Sequence, residues 1–339
     1  MLDTYQCNGV PSLPEFYPSW MKDSFRYFEK NFNFTVNNSL DLPSQMLNIV
    51  QKALFPGRRI RPILYCSFWK DIHHKYPENK KLFPAIALEL FHSASIIIDD
   101  IVDEDEVRRN KHALYRIFGI GNAVIVSHFL ISAGYKQLLQ STNSRDLTKY
   151  WTYSYESAAV GEFIDVNKIE EMSIEEQVKN SLLKTENFFL FIGNCLHVFS
   201  DVHDDIVKLF GIIGRCFQIS NDIYDLYNID GNSRHSIEKP YRLNYSYLVT
   251  RLVKEKILKE EVLLKPIYKD EIHRIAMRTR DKLGRRSEVI TPIIHSALQE
   301  LKGLNLSINI KNHAEDFLIL LKKSNFWRHI HETKKRNDN

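Results

Sequence analysis

Between Pro84 and Pro240 the chain contains no proline, and glycine is sparse over the same stretch. A proline ring removes a backbone donor and clashes with the preceding turn, and glycine weakens a helix interior. This is therefore the composition that long uninterrupted helices require. The stretch also carries two acidic clusters, Asp99-Asp100-Ile101-Val102-Asp103 and Asn221-Asp222-Ile223-Tyr224-Asp225. In each, the first and last members are four residues apart, which on a helix puts them on one face, one turn apart. The first cluster follows the apolar run Ala94-Ser95-Ile96-Ile97-Ile98. A carboxylate left unpaired against such a surface is costly or takes up a proton, so a cationic partner is expected there. Hard divalent cations with oxygen ligands meet that need, and Mg²⁺ in particular is held by a few carboxylates together with substrate phosphates. Two such clusters facing each other imply a diphosphate site.

By length alone, 339 residues suit about two domains. The clusters have to share one site, however, so the expected organisation is all-α, a single large helical domain over 1–339, with a flexible basic tail near 332–339. Candidate helices lie near 19–31, 42–55, 60–74, 81–103, 120–140, 145–167, 173–199, 203–228, 243–259 and 262–283, with others beyond. The cysteines Cys7, Cys66, Cys195 and Cys216 are scattered without CxxC spacing, which argues against a zinc site or disulfide framework and fits a reducing, cytoplasmic setting. No apolar run approaches the ~18 residues of a membrane-spanning helix, and no signal-peptide pattern opens the chain, so no integral membrane span is expected. Lys and Arg number 46 against 42 Asp and Glu, a net charge of +4, and the basic residues are dispersed apart from Lys334-Lys335-Arg336. No recognition motif accompanies that tail, and nucleic acid is not an expected partner.

A single DDxxD arises easily in a charged chain and is more often a solvated helix face. An EF-hand is excluded, because no glycine stands at the required turn position of the loop. What gives the clusters meaning is their company: Pro56-Gly57-Arg58-Arg59-Ile60-Arg61-Pro62 upstream, Arg108-Arg109 just downstream, then Lys184-Thr185 and Phe217-Gln218. With these, the chain from about Pro56 to about Asp230 resembles the trans-prenyl diphosphate synthases, the family of farnesyl, geranylgeranyl and longer-chain synthases. The strongest stretch runs from His92-Ser93-Ala94-Ser95 to Asp99-Asp100-Ile101-Val102-Asp103, followed after four residues by Arg108-Arg109. It is similar to the family's H-x-A-S-L-x-x-D-D-x-x-D-x4-R-R signature.

The resemblance implies a helical bundle of the isoprenoid synthase type with a central active-site cavity. It implies Mg²⁺-assisted loss of diphosphate from an allylic prenyl diphosphate, followed by condensation with isopentenyl diphosphate. Asp99, Asp103 and Asp222 are the principal expected metal ligands, with Asp100, Asn221 and Asp225 beside them. Arg108 and Lys184 are expected on the allylic diphosphate, and Thr185 and Gln218 near the carbocation. The family's G-K-x-x-R motif reads Gly57-Arg58-Arg59-Ile60-Arg61 here, and with His92 and Arg109 it is expected to hold isopentenyl diphosphate. Arg58 keeps the charge of the usual lysine while presenting a planar fork. A homodimer is implied by the same resemblance.

Some positions depart from the pattern. Asn221 opens the second cluster where aspartate is common, although its carbonyl oxygen can still ligate a hard cation. Asn110 replaces the glycine after Arg-Arg, Glu162 stands at a common glutamine, and the lysine-rich segment after the second cluster has only Lys239 as its nearest counterpart. These departures keep open a relative that cyclises the prenyl group or transfers it to another acceptor, and a regulatory subunit without activity. Phe188, Phe189, Phe191 and Phe217 suit either a chain tunnel or ordinary core. For product length, Ala94 and Ser95 are small and lie about one turn before Asp99, while Phe91 lies about another turn deeper and is the expected stop. The resulting expectation is a product of roughly twenty carbons, from helix rise and resemblance to geranylgeranyl synthases.

Overall fold

A computed structural model describes residues 13–39, 42–55, 57–108, 111–167, 172–227, 246–259, 261–264 and 267–331. Fifteen α-helices lie among them: α1 (Ser19–Ser39), α2 (Ser44–Leu54), α3 (Ile60–His73), α4 (Phe83–Val102), α5 (Leu114–Phe118), α6 (Ile120–Gln140), α7 (Ser144–Asn167) and α8 (Ile174–Val198). The remainder are α9 (Asp205–Tyr227), α10 (Tyr247–Lys254), α11 (Glu261–Leu264), α12 (Lys269–Leu283), α13 (Arg286–Gly303), α14 (Ile308–Leu321) and α15 (Ser324–His331). Two short antiparallel strands, β1 (Val107–Arg108) and β2 (Lys111–His112), pair Val107 with His112 and Arg108 with Lys111.

Local chemistry accounts for several boundaries. Pro84 sits in the first turn of α4, where its missing N–H leaves no bond unmade. Ser173 caps α8 in a reciprocal box with Glu176, each side chain satisfying the other's backbone N–H. Ser246 and Ser307 cap α10 and α14 in the same one-sided way, accepting from Val249 and Ile310. The expected helices from 42–55 through 203–228 are all present to within two residues. Differences cluster elsewhere. α1 continues to Ser39, the 243–259 helix is the shorter α10, and the expected 262–283 helix is two elements on either side of Pro266, a residue that cannot donate to a continuing helix.

Every residue from Ile60 to Trp69 on α3 is buried, which makes this helix a central strut rather than an amphipathic cover. α4 lies along α6, and α8 is packed between α7 and α9; α9 also meets α10, α12, α13, α14 and α15. The buried apolar side chains form one continuous cluster from Tyr17 to Trp327. No helix among the described residues is long and apolar enough to cross a membrane. The basic tail 332–339 lies outside the described residues, as do Pro56, Arg109, Asn110 and Lys239.

Candidate active site

The first acidic cluster closes α4. Asp103 is the residue after its last turn and donates its backbone N–H to the Asp99 carbonyl at 2.8 Å. The β1 strand brings Arg108 back over this end. Its guanidinium donates to Asp99 Oδ2 at 2.7 Å and to Asp100 Oδ1 at 2.5 Å, and lies 3.5 Å from Asp105 Oδ2. Burial disfavours the charge of Arg108, but Asp100, Asp99 and Asp105 outweigh it and hold its proton more tightly than usual. Asp100 is buried beneath this arginine.

Lys184 on α8 occupies the middle of the site. Its ammonium lies 2.5 Å from Asp165 Oδ2 and 3.5 Å from Glu162 Oε2, both on α7. Burial opposes its charge, yet Asp165, Glu162 and Asp99 together raise its pKa well above the ordinary value. The same ammonium acts on both acidic clusters. Asp103 is pushed up to about 8 by burial and by the neighbouring Asp99 charge, with Lys184 pulling it down. Asp222, on α9, is likewise pushed up to about 8 by burial, again against the pull of Lys184 and with Asp225 adding repulsion. The fold has thus brought the two clusters around one lysine.

A hydrogen-bonded chain joins α8 to α9 below this point. Thr185 Oγ1 donates to Gln218 Oε1 at 2.5 Å, and Gln218 Nε2 donates to Asp222 Oδ1 at 2.7 Å. Asn221 Nδ2 donates to Asp225 Oδ2 at 2.9 Å, one turn along the same helix.

The basic turn before α3 divides in two. Arg61 Nη1 donates to His92 Nε2 at 2.9 Å, so the neutral imidazole carries its proton on the other nitrogen. The Arg61 guanidinium lies 5.3 Å from the ring centres of Phe188 and Phe189 and 6.0 Å from Phe217, and burial lowers its pKa to about 10. Arg58 is half-buried near Tyr17, and burial lowers its pKa too. Arg59 goes elsewhere. Its side chain is wholly buried between Glu29 and Glu89, which no reading of a solvated basic turn anticipates.

Phe91 lies deeper along α4, fully buried, and stacks face to face on Trp151 of α7 at 3.8 Å with rings 10° from parallel. Trp151 in turn meets the edges of Phe188 and Phe191 at 5.5 and 5.2 Å. Ala94 is fully buried as well, its carbonyl accepting from Ser127 of α6 at 3.1 Å. Trp151 was not singled out by any motif; an aromatic on a long helix gives no signal of the partner it stacks on.

These donors fit a hard cation. They are carboxylates plus one amide oxygen, mutually repelling and, apart from the buried Asp100, partly or largely open to solvent, with Lys184 and Arg108 as counter-charges. Among the described residues no three His, Cys, Asp or Glu side chains converge as a ready-made cage. Mg²⁺ is held by one or two carboxylates at a time and completes its shell with water and phosphate oxygens.

Residues 43–273 match the family described as polyprenyl synthetase. A terpene synthase of Matsumurasca onukii is 26% identical over 197 residues, covering 56% of this chain and 64% of that protein. An octaprenyl diphosphate synthase of Escherichia coli is 26% identical over 181 residues, covering 52% and 55%. The matched stretch therefore spans between half and two thirds of these relatives. In three dimensions, a polyprenyl synthase of Caulobacter crescentus, solved with calcium and isoprenyl diphosphate, superposes with a TM-score of 0.66 at 14% identity over 89% of this chain and 96% of that one. It shares the helical isoprenoid synthase fold.

Proposed function

Because the chain belongs to the polyprenyl synthetase family, we propose that it is a Mg²⁺-dependent trans-prenyltransferase. It condenses an allylic prenyl diphosphate with isopentenyl diphosphate to give a longer all-trans prenyl diphosphate of roughly twenty carbons, the length estimate resting on helix rise. The observation that carries the reading is Lys184, whose charge acts on Asp99 and Asp103 at the end of α4 and on Asp222 of α9 at once. A diphosphate is the group that two acidic clusters and a shared lysine can bind together once divalent cations are present.

Asp99, Asp103 and Asp222 would hold Mg²⁺, with Asp100, Asn221 and Asp225 supporting them. When bound, Mg²⁺ supplies Lewis-acid neutralisation of the departing diphosphate. Lys184 and Arg108 contribute fixed positive charge to the same oxygens. The carbon–oxygen bond breaks with its electron pair on the diphosphate, leaving an allylic cation. Thr185 and Gln218 orient Asp222 through their hydrogen-bonded chain and present oxygens below it. Arg58, Arg61, His92 and Arg109 would hold isopentenyl diphosphate, whose double bond attacks the cation. A proton then leaves the new chain for the released diphosphate, so no side-chain base is needed. The aromatic floor of Phe91 and Trp151 limits the growing chain.

In this reading the chain acts as one domain in the cytoplasm, and it pairs with a second copy. Support for pairing comes from α6 and α7, where Ile125, Leu139, Tyr153, Val160 and Phe163 are exposed apolar residues at helical spacing.

A second reading, ionisation followed by cyclisation, is favoured by Arg61, which is only 8% exposed and boxed by three phenylalanines. The two separate when purified protein and Mg²⁺ are given geranyl, farnesyl or geranylgeranyl diphosphate, each with and without isopentenyl diphosphate. Longer diphosphates formed only with the five-carbon unit support the synthase. Hydrocarbons formed without it support the cyclase and overturn the elongation reading.

A further inference from the structure

The most deeply buried charge among the described residues is not at the acidic clusters. Arg59 has no exposed side-chain surface, and its Nε and Nη1 donate to Glu29 Oε1 of α1 at 2.5 Å and Glu89 Oε1 of α4 at 2.6 Å. Its guanidinium carbon lies 4.5 Å from the ring centre of Phe32 and 5.3 Å from that of Phe55. A buried guanidinium bonded to carboxylates on two sides has its side chain fixed in direction. The backbone here is strained. Arg59 has φ 55° and ψ 25°, a left-handed conformation disfavoured for any residue with a Cβ, and it stands directly before the first turn of α3. Its carbonyl accepts the first bond of that helix from Ile63 at 2.9 Å.

Gly57 belongs to the same arrangement. A Cβ built there would fall 2.1 Å from Arg59 Nη1 and 2.9 Å from Glu89 Oε1. The glycine of this motif is therefore needed by the ion pair, whatever it does for a phosphate. On α4, Glu89 and His92 are three residues apart on one face, and that face continues to Asp99 and Asp103. Glu89 takes Arg59 while His92 takes Arg61. One helix face thus grips the basic turn at two points and carries the first acidic cluster further along.

We infer that Arg59 is a positioning residue for the second diphosphate site, clamped by Glu29 and Glu89 so that Arg58 and Arg61 on either side of it are held in register with His92. The inference rests on the reading of Arg58, Arg61 and His92 as the isopentenyl diphosphate site. The fork geometry matters, since a lysine keeps the charge but cannot donate to two carboxylates along two fixed directions. The acidic clusters and Lys184 lie on other turns and other helices, so the allylic diphosphate does not depend on the clamp.

Calorimetric titration of the full-length protein tests this, with isopentenyl diphosphate in one series and an allylic thiodiphosphate, which resists ionisation, in the other. Arg59→Lys is expected to weaken isopentenyl diphosphate about tenfold or more, which corresponds to about 1.4 kcal/mol, while the allylic analogue stays within about twofold of wild type. Glu29→Gln keeps the volume and one acceptor, and is expected to show the same selective loss at smaller size if Arg59→Lys folds poorly. Helical circular dichroism certifies each variant. Equal weakening of both ligands, or undiminished isopentenyl diphosphate binding in both variants, overturns the positioning role. Wild type that binds the allylic analogue but not isopentenyl diphosphate overturns the elongation reading itself, and the two failures are distinct.

Discussion

Replacing Phe91 with alanine is expected to destabilise the protein strongly and lengthen its product together. The side chain is fully buried, stacked on Trp151 at 3.8 Å and edge-on to Tyr135 at 5.3 Å. Truncating a buried phenylalanine costs about 3–5 kcal/mol, depending on how far the surroundings collapse into the space left. Here collapse is limited on one side. Gly134 of α6 faces the ring so closely that a Cβ there would lie 2.7 Å from it, and glycine has no side chain to swing into the hole. The stacked pair itself is worth about 0.5–1.5 kcal/mol beyond area, so the expected loss lies in the upper half of that range. Denaturant unfolding of wild type and Phe91→Ala reads the stability. Chromatography of the prenyl products, after hydrolysis to alcohols, reads the length. The vacated ring is comparable in size to one five-carbon unit, so the product is expected to grow by one such unit. Gly134→Ala pushes the other way, since its methyl drives the Phe91 ring inward at an overpacking cost of about 1–3 kcal/mol, and its product is expected to be shorter or reduced in yield. A Phe91→Ala protein that loses less than about 1 kcal/mol refutes the packing argument. One that loses the full amount yet makes the wild-type product distribution shows that Phe91 is core only.

Other outcomes follow from the same geometry. Asp222 titrates near 8 in the folded protein against 3.8 ordinarily, because burial disfavours its charge. The folded state therefore holds a proton that the unfolded state has lost, and stability in chelator is expected to fall as pH rises from about 4 to about 8. Asp222→Asn, which mimics the protonated carboxyl, is expected to match wild type only below about pH 4 and to exceed its melting temperature increasingly as pH rises towards about 8 in chelator; a variant less stable than wild type at about pH 8 contradicts this. Gln218→Leu strands the Thr185 hydroxyl and one Asp222 oxygen, each worth about 1–3 kcal/mol when buried unpaired. Turnover of that variant is expected to fall by about tenfold or more, with unaltered kcat arguing that the chain is only structural. Phe163→Glu, at an exposed apolar position of α7, is expected to shift the protein toward monomer in sedimentation, and an unchanged mass would move the proposed interface elsewhere.

The parts of the fold that sequence made visible share a physical cause. Helices between Pro84 and Pro240 were legible because breakers are absent there and caps such as Ser173 mark their starts. The candidate site residues Asp99, Asp222 and Lys184 were legible as spaced charges, and the structure brings Asp99 and Asp222 within electrostatic reach of Lys184. Arg59 was not. Three arginines in a row of five residues look alike as letters, and only the third dimension shows that Arg59 turns toward Glu29 and Glu89 while Arg61 turns toward His92. Trp151 escaped for the same reason, since stacking across α4 and α7 has no spacing rule within either helix. The β1–β2 pair escaped because two-residue strands carry no period, although it is what folds Arg108 back onto Asp99 and Asp100.

The central claim is that two acidic clusters around Lys184 act as one diphosphate-ionising site. Release of inorganic diphosphate from an allylic diphosphate, measured across a Mg²⁺ titration for wild type, Asp99→Ala and Asp222→Ala, tests it most directly. The account expects release to require Mg²⁺ and to fall by orders of magnitude in either variant, with helical circular dichroism retained, because each cluster supplies part of a single site. Release at the wild-type rate from either variant, or from wild type in excess chelator, would contradict it.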